Sequence, residues 1–270
     1  MKIAICQTNP IIADFNHNIQ LIRKAVEESK QAGCALAVFP EMCVTGYPPR
    51  DLLERPGFIR ENLCQLDKLA SETSGISIVC GYVDVNDKAS GMPLINSAAF
   101  ISGGRIVSKG GKKLLPTYDV FDETRYFEPA LKSLIFEIEG KRIGVTICED
   151  IWRESNFPGV PRYEHDPLPS ILSQKIDMLF NIAASPYSLN KVELRFELIK
   201  RISLNQRIPV LYCNQVGGND ELLFDGSSMV VDQTGNLILL GKHFESDLII
   251  WDTEKTYNFL MIFQQMSILD

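Results

Sequence analysis

Leu134-Ile135-Phe136-Glu137-Ile138-Glu139-Gly140-Lys141-Arg142-Ile143-Gly144-Val145-Thr146-Ile147-Cys148 holds two apolar runs about a glycine. The runs Leu134–Ile138 and Arg142–Ile147 read as strands of a hairpin turning near Gly140. The second run stops at Cys148, where Glu149 and Asp150 follow. A thiol at a strand end, beside backbone N–H groups outside the ladder, is placed like a nucleophile. The alternative is a buried structural cysteine, and that is the reading for Cys6, Cys34, Cys80 and Cys213.

Outward from this hairpin the chain alternates two styles of connection. Ile95–Ile101 and Arg105–Lys109 form another hairpin about Gly103-Gly104. Before it, Ile3–Gln7, Ala35–Phe39 and Ile76–Val85 read as strands separated by amphipathic helices. The first helix carries Ile19, Ile22 and Val26 on one face, with Asn16 or Asn18 as its cap and Gly33 at its close. The second carries Ile59, Leu63, Leu66 and Ala70. Beyond Cys148 come a short helix at 169–174, a strand at 178–183, and a helix bearing Val192, Leu194, Phe196, Ile199 and Ile202. A strand at 209–213 and a hairpin of 227–231 with 236–240 follow. Strands joined by helices, mixed with strands joined by hairpins, predict an α/β domain of mixed sheets covered by helices.

Composition narrows the function. The 270 residues carry 27 basic and 34 acidic side chains, a net charge of −7, which disfavours a polyanion such as nucleic acid as partner. No apolar stretch approaches a membrane span, and the apolar run at the N-terminus is too short for a signal peptide. Seven cysteines at irregular spacing, with no C-x-x-C pair, give no support to a metal site and fit a reducing cytoplasm.

Two further features lie where strand patterns stop. Phe39-Pro40-Glu41 puts a carboxylate directly after an apolar strand, where an apolar rim would raise its pKa toward the range of a general base. Taken alone, Glu41 is more often a solvated loop residue. Lys112-Lys113-Leu114-Leu115-Pro116 puts two lysines before an apolar pair, and a fixed ammonium stabilises an oxyanion. Taken alone, this is more often a basic turn. No G-x-S-x-G, GxxxxGK[ST] or GxGxxG is present, and His17, His165 and His243 lie in polar contexts read as loops.

Glu41, the Lys112 segment and Cys148, in that order and at that wide spacing, resemble the carbon–nitrogen hydrolase (nitrilase) superfamily. Four stretches resemble the glutaminase domains of glutamine-dependent NAD synthetases more closely: Gly46-Tyr47-Pro48-Pro49-Arg50-Asp51-Leu52-Leu53, the run from Leu115 to Phe127, Cys148-Glu149-Asp150-Ile151-Trp152, and Ala184-Ser185-Pro186-Tyr187. The resemblance covers residues 1–252, taken as one domain, with 253–270 as a C-terminal tail. It implies a four-layer αββα sandwich and a homo-oligomer.

By the same resemblance Cys148 is the nucleophile, Glu41 the general base, and Lys112 the oxyanion partner, four residues before Pro116. Lys113 is the neighbour open to confusion with it; in an extended segment only one of the two faces the site. Glu123 resembles the family's second glutamate, which holds the lysine. Tyr118, Ser185 and Lys191 resemble contacts to the amino-acid end of glutamine, and the backbone N–H of Glu149 a second oxyanion donor. The resemblance implies no metal or organic cofactor for amide hydrolysis. ATP and magnesium would serve only a synthetase domain, on this chain or another.

A synthetase domain carries an S-G-G-x-D-S loop. Here Ser102-Gly103-Gly104-Arg105 is followed by Ile106 and reads as a hairpin turn, and the glycine pairs 110–111 and 217–218 read as lying in a hairpin or a turn. Three functions therefore compete. The first is a glutaminase supplying ammonia for NAD synthesis. The second is a free-standing amidase for another small amide or carbamoyl compound. The third is a non-catalytic interaction domain, which the presence of Glu41, Lys112 and Cys148 together disfavours.

Overall fold

A computed structural model of the chain describes residues 1–154 and 163–257. Strand β1 (Lys2–Gln7) leads through helix α1 (Phe15–Gln31) to β2 (Leu36–Val38), and helix α2 (Pro56–Glu72) leads on to β3 (Ser77–Val85). Then come β4 (Leu94–Ser102), β5 (Arg105–Gly111), β6 (Leu134–Ile138) and β7 (Lys141–Ile147). The short helix α3 (Leu168–Leu172) precedes β8 (Met178–Ala183), and α4 (Lys191–Gln206) precedes β9 (Val210–Asn214). The described chain ends with β10 (Val216–Asn219), β11 (Leu222–Asp225), β12 (Met229–Val231), β13 (Leu237–Leu240) and β14 (Asp247–Asp252). The expected tail from 253 is described only to Tyr257; residues 258–270 lie outside the described residues.

Two six-stranded sheets form, in the orders β14-β1-β2-β3-β4-β5 and β13-β12-β9-β8-β7-β6. Helical crossovers give the parallel pairs β1–β2, β2–β3, β7–β8 and β8–β9, whereas the hairpins β3–β4, β4–β5 and β6–β7 are antiparallel. Period-two alternation then sorts the side chains. Ile3 and Ile5 enter the core between the sheets, while Ala4 and Cys6 face the layer of α1 and α2 with Ile19, Ile22 and Leu66. Each fully buried Ile or Leu contributes about 2 kcal/mol relative to exposure. Phe100 of β4 stacks on Phe136 of β6 at 3.9 Å between centroids, joining sheet to sheet. Helix α4 closes the far side over β9 and β12 through Phe196, Ile199 and Ile202. The layers are therefore helix, sheet, sheet, helix, the expected four-layer αββα arrangement. Among the described residues no helix is long and apolar enough to cross a membrane.

Several local expectations need correcting. The cap of α1 is Asp14, whose carboxylate accepts the N–H of His17, not Asn16 or Asn18. Asn18 is instead buried and ties the loops at Ile11 and Val44 to the helix. His17 thus sits in the first turn of α1, not in a loop. Gly110 and Gly111 close β5 and form no turn; a Cβ on Gly110 would lie 2.0 Å from the Leu134 nitrogen, so close strand approach requires glycine there. Strand β14, which covers β1 with Ala4 opposite Ile250, has no counterpart in the sequence reading.

Candidate active site

The site collects at strand ends. Glu41 follows β2, Lys112 follows β5, Cys148 follows β7, and Ser185 follows β8 shortly after its end. In sheets with parallel strands, carboxyl ends and their loops are where ligands bind.

Glu41 and Lys112 are almost fully enclosed, at 0% and 1% exposed. The Lys112 ammonium donates to Glu41 Oε1 at 2.9 Å and to Glu123 Oε1 at 2.7 Å. Glu41 Oε1 also accepts Asn96 Nδ2 at 2.6 Å, and Oε2 accepts the Ala184 N–H at 2.8 Å. Glu123 is held further by the Tyr47 hydroxyl at 2.9 Å. A buried ion pair survives only when such hydrogen bonds offset its desolvation.

The electrostatics follow from burial. Burial opposes the Lys112 charge, but the Glu123 and Glu41 carboxylates outweigh it and hold the ammonium well above its ordinary pKa. Burial pushes Glu123 up to about 7, with Lys112 opposing and Glu41 adding to the rise. Burial, then Glu41, pushes the Cys148 thiol well above its ordinary value against the pull of Lys112. Cys148 is therefore a neutral thiol at rest, and attack by it requires a base. The rest of the geometry marks the thiol's place: Cys148 adopts φ +43°, a left-handed turn off the end of β7.

Lys113 points elsewhere, its ammonium on Ser170 Oγ at 2.9 Å, so the alternation expected for this segment separates the two lysines. Beside Cys148, the Glu149 carboxylate accepts from the Tyr118 hydroxyl at 3.1 Å and the Tyr163 hydroxyl at 2.8 Å. The Lys191 ammonium lies 4.4 Å from the centre of the Trp152 ring and makes no ion pair among the described residues. Burial, then nearby Arg195, lowers the Lys191 pKa; Cys148 and Glu149 pull the other way. Glu149 likewise pairs with no cation among the described residues, and burial raises its pKa. Ser185 is enclosed at 3% exposed, its N–H on Asn214 Oδ1 at 2.9 Å.

Residues the sequence reading passed over complete the site. Asn96 and Tyr47 hold the two glutamates. Arg195, fully buried, grips Asp225 through Nη1 at 2.8 Å to both oxygens, and donates from Nη2 to the Ser185 carbonyl at 2.8 Å and from Nε to Ser185 Oγ at 3.3 Å. Its signal was legible: a guanidinium on the α4 face between Val192 and Ile199 interrupts an apolar stripe. Asn96 had no such signal, because an asparagine in a strand pattern does not reveal which face it takes.

The comparisons agree with this architecture. Residues 2–256 match the carbon–nitrogen hydrolase family. A glutamine-dependent NAD(+) synthetase of Thermotoga maritima is 37% identical over 261 residues, covering 96% of this chain and 43% of the relative. The protein of the same name from Synechocystis sp. is 40% identical over 252 residues, covering 92% of this chain and 45% of the relative. The chain thus spans less than half the length of these relatives. The structure of glutamine-dependent NAD+ synthetase from Acinetobacter baumannii superposes with a TM-score of 0.84 at 32% identity, over 94% of this chain and 46% of that one. A nitrilase-superfamily amidase from Nesterenkonia sp. AN1 shares the fold, with a TM-score of 0.77 at 19% identity over 93% of this chain and 89% of that one. Sequence, layered fold and superposition converge on one assignment: the chain belongs to the carbon–nitrogen hydrolase family.

Proposed function

We propose that this chain hydrolyses the side-chain amide of glutamine to glutamate and ammonia through a thioester on Cys148. In this reading the ammonia serves the ATP-dependent conversion of deamido-NAD to NAD by a synthetase domain, on the same chain or a separate one. One observation carries the substrate class. Beside the thiol stand a carboxylate, Glu149, held by tyrosine hydroxyls, and an ammonium, Lys191, held by an indole face. The α-ammonium and α-carboxylate of an amino acid complement that pair of unmatched charges. Relatives named for glutamine dependence and NAD synthesis support the rest.

The steps use protein groups alone. Glu41 takes the thiol proton as Sγ forms a bond to the amide carbon, and the carbonyl electron pair moves to oxygen. Lys112 and the Glu149 N–H meet that oxyanion. The intermediate collapses, the C–N bond breaks, and Glu41 gives its proton to the departing ammonia. Water, deprotonated by Glu41, then adds to the thioester carbon; the C–S bond breaks, Glu41 returns its proton to Sγ, and glutamate leaves. No metal or organic cofactor takes part; ATP and magnesium would act only in the synthetase reaction. A cytoplasmic location fits the six buried free thiols, and a homo-oligomer belongs to the same reading.

The test is mass spectrometry of the chain after incubation with a chloroketone analogue of glutamine, together with an ammonia assay. A single adduct on Cys148 and ammonia release from glutamine are expected. Turnover of short neutral amides with none of glutamine would transfer the assignment to a free-standing amidase.

A further inference from the structure

Asp150 stands two residues beyond Cys148 and is enclosed at 1% exposed. Its carboxylate receives backbone N–H groups from two directions. Oδ1 accepts those of Lys113 and Leu114, both at 2.9 Å, and Oδ2 accepts that of Ile147 at 3.1 Å. The first two residues directly follow Lys112; the third directly precedes Cys148. The turn at Cys148 is left-handed at φ +43°, a conformation that a side-chain-bearing residue keeps only where its surroundings over-determine it. Asn181 Nδ2 supplies a second restraint, donating to the Cys148 carbonyl at 3.3 Å.

We propose that Asp150 is a positioning residue for the amidase reaction: its one carboxylate locks the Lys112 segment to the Cys148 turn and thereby fixes the ammonium relative to the thiol. This rests on the reading of Cys148 as nucleophile. The residue type matters. A carboxylate has acceptor sites for all three N–H groups, whereas an amide turns an NH₂ toward one of them. Asp150 forms no ion pair among the described residues, so its hydrogen bonds to backbone define its role. The charged group bearing on it from across the contact is the Lys112 ammonium; Cys148 and Glu149 share its own turn. Lys113, whose N–H it receives, directs its ammonium away to Ser170.

Protonation acts on the same lock. Burial raises Asp150 to about 6, with the three backbone N–H groups and Lys112 opposing. Below that pH one oxygen carries a proton and opposes an N–H it formerly accepted. Asp150→Asn makes that neutral form permanent.

The experiment compares wild type, Asp150→Asn and Asp150→Glu in glutamine hydrolysis from pH 5 to 8, with chloroketone labelling of wild-type Cys148 alongside. At pH 8 Asp150→Asn should lose about 10²-fold in kcat, the scale of a small misplacement of reacting groups. Its KM should stay within about twofold, because the glutamine contacts are untouched. The ratio of wild-type to variant kcat should shrink as pH falls through about 6, where the wild type becomes neutral too. Asp150→Glu, which keeps the charge, should recover part of kcat. A kcat ratio constant across the pH range, or a rise in KM with kcat intact, overturns the proposal. Should Asp150→Asn not fold, Asp150→Glu decides: its added methylene should lower kcat at constant KM, and an unchanged kcat overturns the lock. Labelled wild type with wild-type kcat in the variants sinks this inference alone. An unlabelled Cys148 in wild type removes the nucleophile reading and the inference with it.

Discussion

Lys112 lies closer to Glu123, at 2.7 Å, than to Glu41, at 2.9 Å. Glu123 is further braced by Tyr47, while the second oxygen of Glu41 is braced by the Ala184 N–H. In the proposed reaction this arrangement divides labour: Glu123 anchors the ammonium, and Glu41 is left to move a proton. Glu123→Gln should therefore lower kcat by about 10²-fold, through misplaced Lys112, with little change in KM. Steady-state kinetics with glutamine measure this. A variant with wild-type kcat would mean Lys112 needs no second carboxylate.

The two adjacent lysines should behave oppositely. Lys112 is buried in the glutamate pair, whereas the Lys113 ammonium, at a half-exposed position, donates to Ser170 Oγ. Lys112→Ala removes the proposed oxyanion partner, worth about 10²–10³ in kcat, or roughly 3–4 kcal/mol. It also leaves two buried carboxylates without their cation, so the thermal midpoint should fall as well. Lys113→Ala should change kcat little. A dead Lys113→Ala beside an active Lys112→Ala would contradict the register of the segment.

This pair shows what the sequence could and could not disclose. Alternation in an extended segment said that one lysine faces in, and the family resemblance, which places its lysine four residues before the proline, said which. Helices and hairpins were legible because apolar periodicity records burial locally. Strand β14 was not, since its pairing with β1 joins residues at opposite ends of the chain, Lys2 opposite Asp252. The Asp14 cap was missed for a smaller reason: three residues able to cap, Asp14, Asn16 and Asn18, crowd the same turn, and geometry alone selects among them. Glu41, Lys112, Glu123 and Cys148 stood out by motif, but the two glutamates are held by Asn96 and Tyr47, whose partners lie far off in sequence.

Activity and stability should respond to pH in opposite senses. Glu123 is raised to about 7 by burial and shares Lys112 with Glu41. A proton on Glu123 weakens its hold on the Lys112 ammonium, so kcat should fall as pH drops through about 7. The sign for folding is reversed. The folded pKa lies above the unfolded value of 4.5, so between those limits the folded state binds more protons and stability declines as pH rises. Glu123→Gln should flatten that decline in a series of thermal melts from pH 5 to 8. Equal slopes for wild type and variant would show that Glu123 titrates in its ordinary range.

The α-carboxylate end should be read by two cations of different rank. Lys191 is the one without an ion-pair partner among the described residues, so Lys191→Met should raise KM for glutamine by about 10-fold or more with kcat largely kept. A short neutral amide, lacking the carboxylate, should be indifferent to that change. Arg195 is already neutralised by Asp225 and reaches the site only through Ser185. Its Nε and Nη2 both donate to the Ser185 hydroxyl oxygen, which fixes where that oxygen stands. Arg195→Lys keeps the charge but loses the planar fork that serves Asp225 and Ser185 together. It should raise the glutamine KM less than Lys191→Met does, while lowering the thermal midpoint more, because a buried Asp225 is left poorly paired. Kinetics of both variants on glutamine and on the neutral amide, with melts of each, separate the roles. If Lys191→Met raises KM for both substrates alike, Lys191 is supporting the pocket wall rather than reading the carboxylate, and the amino-acid specificity must reside elsewhere.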